Sequence, residues 1–477
     1  MGPDSNSAAR WPQFTCQPYG EVMDEFDVLV VGSGTGGQTA AFALNDAGLK
    51  VAVSEKSDRP GGTCALRGCQ SKKWFYEAVE TVAKSRHLKG KGITDPAAAK
   101  WSEILAQKNH FTSQVPENTI KAFRDAGIRF MPGRASFLSG NTMEVGGKSI
   151  TARYYILATG AVPMPLPIRG SENIITSDEF LELEELPKSI IFVGGGFISF
   201  EFAHFAARLG PKNIRVRIFE ASDRPLGPFD AEMVELLVEA SRDEGIEVHT
   251  SAQIASIERR PSGFMVVTGK GESLTADLVV HGAGRSPDIE ELNLGAGEIT
   301  YSTQGITVDE RMCTANPNVF AIGDCAATIQ LARVADFEGH VAARNILAEI
   351  NNTKRVTINY ETVPSMLFTY PQYGMLGKAE AALLQQNTPY RKSFAKDLQW
   401  PTYRRVGLKH AAYKILVGAN NLVIGAHILS DNASGLINTL KQAMLNNTTV
   451  EELYWQSIVS PFPTRESDLT YMLKPLL

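Results

Sequence analysis

The chain has 477 residues, 43% hydrophobic and 21% charged, an ordinary globular composition with room for about three domains. Lys plus Arg number 47 and Asp plus Glu 52, a net charge of −5; so small an imbalance, without a basic cluster, argues against nucleic acid as a partner. No apolar run reaches the ~18 residues of a membrane-spanning helix, and residues 1–14 lack the apolar segment of a secretory signal, so a cytoplasmic protein without a membrane partner is expected.

Residues 1–24 are rich in Pro, Ser and Asn with no period, and no structure is assigned to them. An apolar run at 26–31 then ends in glycines, the mark of a buried parallel strand. A small-residue helix follows through Ala40, Ala41 and Leu44, and a second strand at 50–54 ends at Glu55, completing a βαβ unit. Between strand and helix, Gly32-Ser33-Gly34-Thr35-Gly36-Gly37 fits G-x-G-x-x-G. Gly32, Gly34 and Gly37 let the backbone turn and approach a pyrophosphate, and the helix N-terminus offers free N–H groups to it. Glu55, 21 residues beyond Gly34, is placed to accept hydrogen bonds from ribose hydroxyls.

The next segment is Gly61-Gly62-Thr63-Cys64-Ala65-Leu66-Arg67-Gly68-Cys69. On a regular helix, residues five apart are rotated by about 140°, and two such thiols cannot satisfy disulfide geometry. They meet only if the first turn is distorted, which Gly62 and Gly68 permit. A helix N-terminus would also lower a thiol's pKa. The plainer alternative is two buried structural cysteines. The odd total of five cysteines fits a reducing compartment.

A helical stretch at 97–126 and shorter strands lead to Ala158-Thr159-Gly160. The βαβ pattern then recurs: strand 189–193, Gly194-Gly195-Gly196-Phe197-Ile198-Ser199, helix 198–209 and strand 215–219 ending at Glu220. Ser199 stands where a third glycine would be. Two dinucleotide units about 160 residues apart suggest two cofactors that exchange electrons, FAD and NAD(P)H. A carboxylate at Glu220 suits a free ribose 2′-hydroxyl and repels a 2′-phosphate, so NADH is expected over NADPH; Arg224 is the argument against it. From about 357 the composition changes, with strands at 412–417 and 423–428 and a helix at 433–445, a third domain.

Gly-Gly-Thr-Cys-x-x-x-Gly-Cys after such a unit resembles the flavin-dependent pyridine nucleotide-disulfide oxidoreductases: glutathione reductase, dihydrolipoamide dehydrogenase and mercuric reductase. The resemblance spans about 26–467 and includes Gly282-Ala283-Gly284-Arg285-Ser286-Pro287, Ala321-Ile322-Gly323-Asp324 and Gly425-Ala426-His427-Ile428. It implies an α/β fold of two Rossmann-like dinucleotide-binding domains plus a C-terminal α+β dimerisation domain, and a homodimer. The expected boundaries are an extension at 1–24, an FAD-binding domain at 25–160 and 285–352, an NAD(P)-binding domain at 161–284, and a dimerisation domain at 353–477.

The resemblance also implies roles. Cys69 would be the charge-transfer thiol and Cys64 the interchange thiol, with Lys73 and Glu201 an ion pair beside the flavin. Lys56, Gly62, Thr63, Thr159, Gly160 and Gly323 would join the first loop in holding FAD, and Asp324 would bind its ribityl chain. Gly194, Gly196 and Ile198 would serve the nicotinamide cofactor, Gly284 and Arg285 would also bind a cofactor, and Phe197 stands where many members have a gating tyrosine. No metal site is expected.

Two departures shape the functional expectation. The disulfide reductases end in His-Pro-Thr-x-x-Glu, an acid/base pair for the dithiol. Here Phe462-Pro463-Thr464-Arg465-Glu466-Ser467 puts Phe462 at the histidine and Ser467 at the glutamate. Mercuric reductases resemble it with Pro-aromatic-x-Thr. Second, Gln70-Ser71-Lys72 replaces the usual Ile-Pro-Ser. The expected enzyme therefore passes electrons from NAD(P)H through FAD and the Cys64–Cys69 disulfide to a metal ion or small-molecule oxidant rather than to glutathione disulfide or lipoamide. The alternatives are a disulfide reductase with another base (Glu466, Tyr370 or Tyr373) and a low-turnover flavin sensor. His204, His340 and His427 read as structural. Cys325 reads as a small packing residue, with a third redox thiol as its alternative.

Overall fold

Strand Glu25–Val31 lies between two parallel neighbours, Val51–Glu55 and Lys148–Leu157. Its last four residues are all buried, because helices cover both faces of a parallel sheet. The computed structural model describes residues 25–477; the extension 1–24, with Cys16, lies outside the described residues. The strands form a seven-stranded sheet that continues on one side to Arg129–Pro132 and on the other through the antiparallel strands Thr142–Val145 and Ala135–Ser139. Strand Val319–Ala321, far along the chain, returns to pair in parallel with Lys148–Leu157.

The register decides where the loops go. Val31, Leu157 and Ala321 are neighbours across three strands. The Gly32 loop, the Thr159-Gly160 turn and Gly323-Asp324 therefore leave the sheet side by side, at the C-terminal edge where α/β sheets bind ligands. Helix Thr35–Asp46 packs against helix Ala332–Ile350 on one face.

A second, four-stranded parallel sheet has the order Ile246–His249, Arg215–Phe219, Ser189–Val193, Leu278–His281. Val193 is in register with Phe219 and His281, so the Gly194 turn, Glu220 and Gly282–Arg285 also converge. Helix Phe197–Leu209 follows the Gly194 turn and ends at Gly210. Ser199 in its first turn replaces a glycine, and its hydroxyl is buried without a partner. Gly282 makes room for it: a Cβ there would collide with Ser199 Oγ. The helix still packs close to the strand because the second element gives up its side chain.

The third domain is a five-stranded antiparallel sheet, in the order Ser365–Leu367, Gln372–Gly377, Val423–Ser430, Ala412–Gly418, Tyr390–Ala395. Helix Ala433–Leu445 lies on it. Buried polar contacts bind this domain to the second one. Lys414 reaches Asp230 at 2.8 Å and Glu232 at 2.9 Å, and Arg208 Nη2 donates to the Tyr370 carbonyl at 2.8 Å. Among the described residues no helix is long and apolar enough to cross a membrane.

The Ser199–Gly282 fit is testable. Gly282→Ala overpacks the helix–strand contact and costs about 1–3 kcal/mol, read as a lowered Tm. Adding Ser199→Gly removes the clashing hydroxyl and restores part of that loss; no restoration would mean that the two residues do not share the space.

Candidate active site

The first glycine loop is built for a close neighbour. Gly62 has φ +76°, and a Cβ on it would collide with the Gly34 Cα, so the start of the cysteine segment rests directly on the nucleotide turn. No side chain caps the helix that starts after Gly34, which leaves its first N–H groups for an anion. Glu55 is fixed at its strand end by the Ser33 N–H at 3.0 Å, the Ser33 hydroxyl at 2.6 Å and the Ser57 N–H at 2.8 Å. Buried Thr159 Oγ1 has no partner within the chain. Burial holds the Asp324 carboxyl above its ordinary range, opposed by the Arg285 guanidinium. A close glycine cradle, an uncapped helix start and an orphaned buried hydroxyl fit a dinucleotide with a polar tail. Lys56 is turned away, paired with Asp288 at 2.8 Å and with Glu291 at 3.5 Å. Thr63 and Gly160 lie at the mouth of the same cradle by chain position.

At the second loop, the Glu220 carboxylate accepts from the Gly195 N–H at 2.6 Å and the Ser222 N–H at 2.7 Å. Arg224 is committed elsewhere, donating to the carbonyls of Gly227 at 2.6 Å and Phe229 at 2.9 Å. Gly196 starts the next helix without a side-chain cap, and Ile198 follows on its first turn. Phe197 stands exposed at that start, its ring centroid 5.9 Å from the Lys72 ammonium. Gly284 has φ +116°, and Arg285 Nη2 donates to the Ala161 carbonyl at 2.5 Å.

The cysteine segment is broken as the spacing requires. A short helix, Gly62–Leu66, ends at Arg67, and a new one, Cys69–His87, starts at the second cysteine. The two sulfurs stand as free thiols close enough to hydrogen-bond. That bond, the Lys72 charge and the amide at the helix start bring Cys69 down to about 6, against burial and the Glu201 carboxylate. Cys64 goes the other way, far above an ordinary thiol. Its bond to Cys69 raises it first, then burial, the Cys69 charge and the Asp336 carboxylate, with Arg333 opposing. The two cysteines are thus driven in opposite directions, Cys69 toward the thiolate and Cys64 toward the thiol.

The ion pair beside them is not the expected one. Lys72, not Lys73, pairs with the buried Glu201. Where the family pattern has a serine, this chain carries a second lysine, and that lysine reaches Glu201 first. Lys73 instead lies 3.1 Å from the Phe368 ring centroid and 4.2 Å from that of Tyr76. Burial, then the Lys72 charge, lowers it to about 8. Glu201 also accepts the Phe368 N–H at 2.9 Å. The Lys-Lys pair was visible in the sequence, but not which member would turn inward.

Of the proposed substitutes for the missing histidine, Glu466 is engaged and both tyrosines are buried. Glu466 accepts from Asn432 Nδ2 at 2.7 Å. Tyr370 and Tyr373 are buried with unpartnered hydroxyls that burial pushes up. Phe462 is 79% exposed. His427 and His204 are buried, and burial lowers both. Cys325 is buried, its sulfur 3.3 Å from the carbonyls of Leu157 and Ile322. Sequence reading missed Glu338, a buried carboxylate that takes the Gly323 N–H at 2.6 Å and the Tyr360 hydroxyl at 2.7 Å. Its only signal was a lone acidic residue among the buried positions of its helix.

Residues 26–339 match the family described as pyridine nucleotide-disulphide oxidoreductase, and 363–471 match its dimerisation domain. The chain is 30% identical over 430 residues to a glutathione reductase of Burkholderia cepacia, covering 89% of this chain and 94% of that protein. It is 29% identical over 441 residues to a mercuric reductase of Staphylococcus aureus, covering 90% and 79%. A dihydrolipoyl dehydrogenase of Chlamydia pneumoniae is 30% identical over 446 residues, covering 91% and 93%. In fold it is similar to the HOCl-induced flavoprotein disulfide reductase RclA from Escherichia coli, with a TM-score of 0.84 at 22% identity, covering 95% of this chain and 100% of that one.

The lysine exchange predicts a spectroscopic difference. The thiolate–flavin charge-transfer band of the reduced protein titrates with Cys69, near the value of about 6 set partly by Lys72. Lys72→Met removes the cation that stabilises the thiolate, so the midpoint rises and the band weakens at pH 7. Lys73→Met leaves the midpoint near its parent value. The reverse result would return the ion pair to Lys73.

Proposed function

We propose, from the premise that the chain belongs to the pyridine nucleotide-disulphide oxidoreductase family of FAD-dependent enzymes, that it oxidises NADH and reduces a small oxidant or a metal ion. Ordinary glutathione disulfide and lipoamide are not its acceptors. When bound, FAD supplies hydride acceptance from the nicotinamide and two-electron delivery to a disulfide. The FAD-binding unit is 25–160 with 285–352, and the NAD(P)-binding unit is 161–284. Gly32, Gly34, Gly37 and Glu55 would hold the nucleotide half of FAD, and Thr159 and Asp324 its ribityl side. Gly194, Gly196 and Glu220 would hold NADH, with Phe197 over the nicotinamide.

The observation that carries the acceptor reading is Phe462. It occupies the place of the acid/base histidine, and neither Ser467 nor Glu466 is free to serve one. Ser467 bonds to Thr464 in its own turn, and Glu466 is taken by Asn432. A disulfide acceptor must be protonated as it breaks, and losing a positioned acid costs about 10²–10⁴-fold in rate. A metal ion or small oxidant takes electrons with less proton delivery. The similarity to a mercuric reductase supports that acceptor class. The residues from 353 onward are proposed as a homodimer interface. Trp455, Val459 and Phe462 are apolar and exposed there, within the stretch that matches the dimerisation domain.

Two outcomes test this reading. First, kcat/KM is higher with NADH than with NADPH, because Glu220 faces the ribose and Arg224 is occupied; an NADPH preference would overturn the assignment. Second, anaerobic reduction with NADH, followed by an acceptor panel, gives turnover with metal ions or small oxidants. Glutathione disulfide and lipoamide turn over at least ~100-fold more slowly. Cys64→Ser or Cys69→Ser abolishes transfer beyond the flavin, and Phe462→His restores little because Ser467 cannot orient an imidazole. Fast turnover of either disulfide would point to a base elsewhere.

A further inference from the structure

One face of helix Ala332–Ile350 touches two of the loops assigned to FAD. A Cβ on Gly36 would lie 2.9 Å from the Ala335 carbonyl, and one on Gly339 would lie 2.7 Å from the Gly36 carbonyl. A Cβ on Gly323, where φ is +67°, would lie 3.0 Å from the Ala335 Cβ. Residues 335, 338 and 339 share that face, and Glu338 is its one carboxylate. It is fully buried, and both of its oxygens are used by neutral donors. Oε2 accepts the Gly323 N–H at 2.6 Å, and Oε1 accepts the Tyr360 hydroxyl at 2.7 Å. Tyr360 comes from the irregular segment between Ile350 and Ser365, which runs back along the helix. Buried Asn345, about two turns from Glu338, holds the same segment: its Oδ1 accepts the Val356 N–H at 2.8 Å and its Nδ2 donates to the Val356 carbonyl at 2.9 Å. That segment leads into the first strand of the third domain, Ser365–Leu367.

We propose that Glu338 is the positioning residue for the Gly323–Asp324 turn, and that through Tyr360 it makes retention of FAD depend on the segment leading into the third domain. The proposal rests on the reading of Asp324 as the group that holds the ribityl side of FAD. Asp324 follows directly on the amide that Glu338 fixes, and the two residues lie in one 3-10 turn, Gly323–Cys325. Gly36 lies against the same helix face, so residues 335–339 set the spacing between the pyrophosphate loop and Asp324. A carboxylate is costly to bury. Here it supplies two acceptors at once, one for the turn and one for the segment. If the segment shifts, Glu338 loses the Tyr360 bond and is free to turn, and the buried Gly323 N–H then loses its acceptor. By linkage the dependence runs both ways: the segment is held more firmly in the FAD-bound protein.

The test is the rate of FAD release from the holoenzyme, read as the rise in flavin fluorescence on dilution. Trypsin cleavage at the exposed Lys354 and Arg355 is recorded alongside. Glu338→Ala removes both bonds and speeds release at least ~10-fold. Glu338→Gln keeps an acceptor for the Gly323 N–H and holds release within ~3-fold of the parent rate. Tyr360→Phe removes only the tether; it speeds release and increases cleavage of the FAD-bound protein, and it decides the matter alone if Glu338→Ala does not fold. Val341→Ala, a packing change elsewhere on the same helix, lowers the Tm and leaves release near the parent rate. Release as fast in Glu338→Gln as in Glu338→Ala, or equally fast in Val341→Ala, marks a charge or packing effect and overturns the inference. Asp324→Ala is the reference. If it speeds release while the Glu338 and Tyr360 variants do not, the inference falls and the FAD reading stands. If Asp324→Ala leaves release unmoved, the ribityl assignment falls and the inference with it.

Discussion

The turn at Gly34 and Thr35 is where the rest of the active region is anchored. Gly62 lies on Gly34, Gly36 lies under the Ala335 carbonyl and Gly339 lies on the Gly36 carbonyl. Gly62, Gly36 and Gly339 have no space for a side chain. Interiors this close-packed transmit displacement instead of absorbing it. The nucleotide loop, the start of the cysteine segment and helix Ala332–Ile350 are therefore held together by direct backbone contacts.

On that frame the electrostatics are arranged asymmetrically. Glu201 is almost fully buried, and a buried carboxylate is costly unless paired and hydrogen-bonded. Lys72 supplies the charge and the Phe368 N–H supplies the bond. With Glu201 itself the three groups come from three regions: the Cys69 helix, the second nucleotide unit and the start of the third domain. One buried group thereby ties the thiolate to the relative placement of all three. Lys73, held over two aromatic faces, shares the neighbourhood without a carboxylate of its own among the described residues.

The two nucleotide units were legible because their chemistry is local. A strand, a glycine turn, a helix and an acidic strand end lie within 32 residues in each case, and the strand 189–193 and the helix 433–445 appear with the bounds that their patterns predict. The break between Cys64 and Cys69 was legible for the same reason, since spacing and two glycines demanded it. The Lys72 exchange was not, because both lysines sit within one turn of Cys69 and the choice is made by Phe368, almost 300 residues away. Nor was Asp336: it meets Thr35 across 301 residues, and sequence spacing says nothing about contacts between helices from different βαβ segments. Ser199 was read as a tolerable substitution, but its compensation at Gly282 is a tertiary fact.

The missing histidine is better understood from the turn than from the single position. In residues 464–467 the Thr464 N–H and the Ser467 hydroxyl bond to each other's residues, and Thr464 Oγ1 takes the Ser467 N–H. Glu466 is drawn inward to Asn432, beside Asp431, which holds Arg465 by two hydrogen bonds at 2.7 and 2.9 Å. Ser467 and Glu466 are thus engaged within the turn or by the loop before helix Ala433–Leu445. Phe462 therefore projects from a segment that is complete without a relay. Restoring one would mean freeing a carboxylate as well as adding a ring.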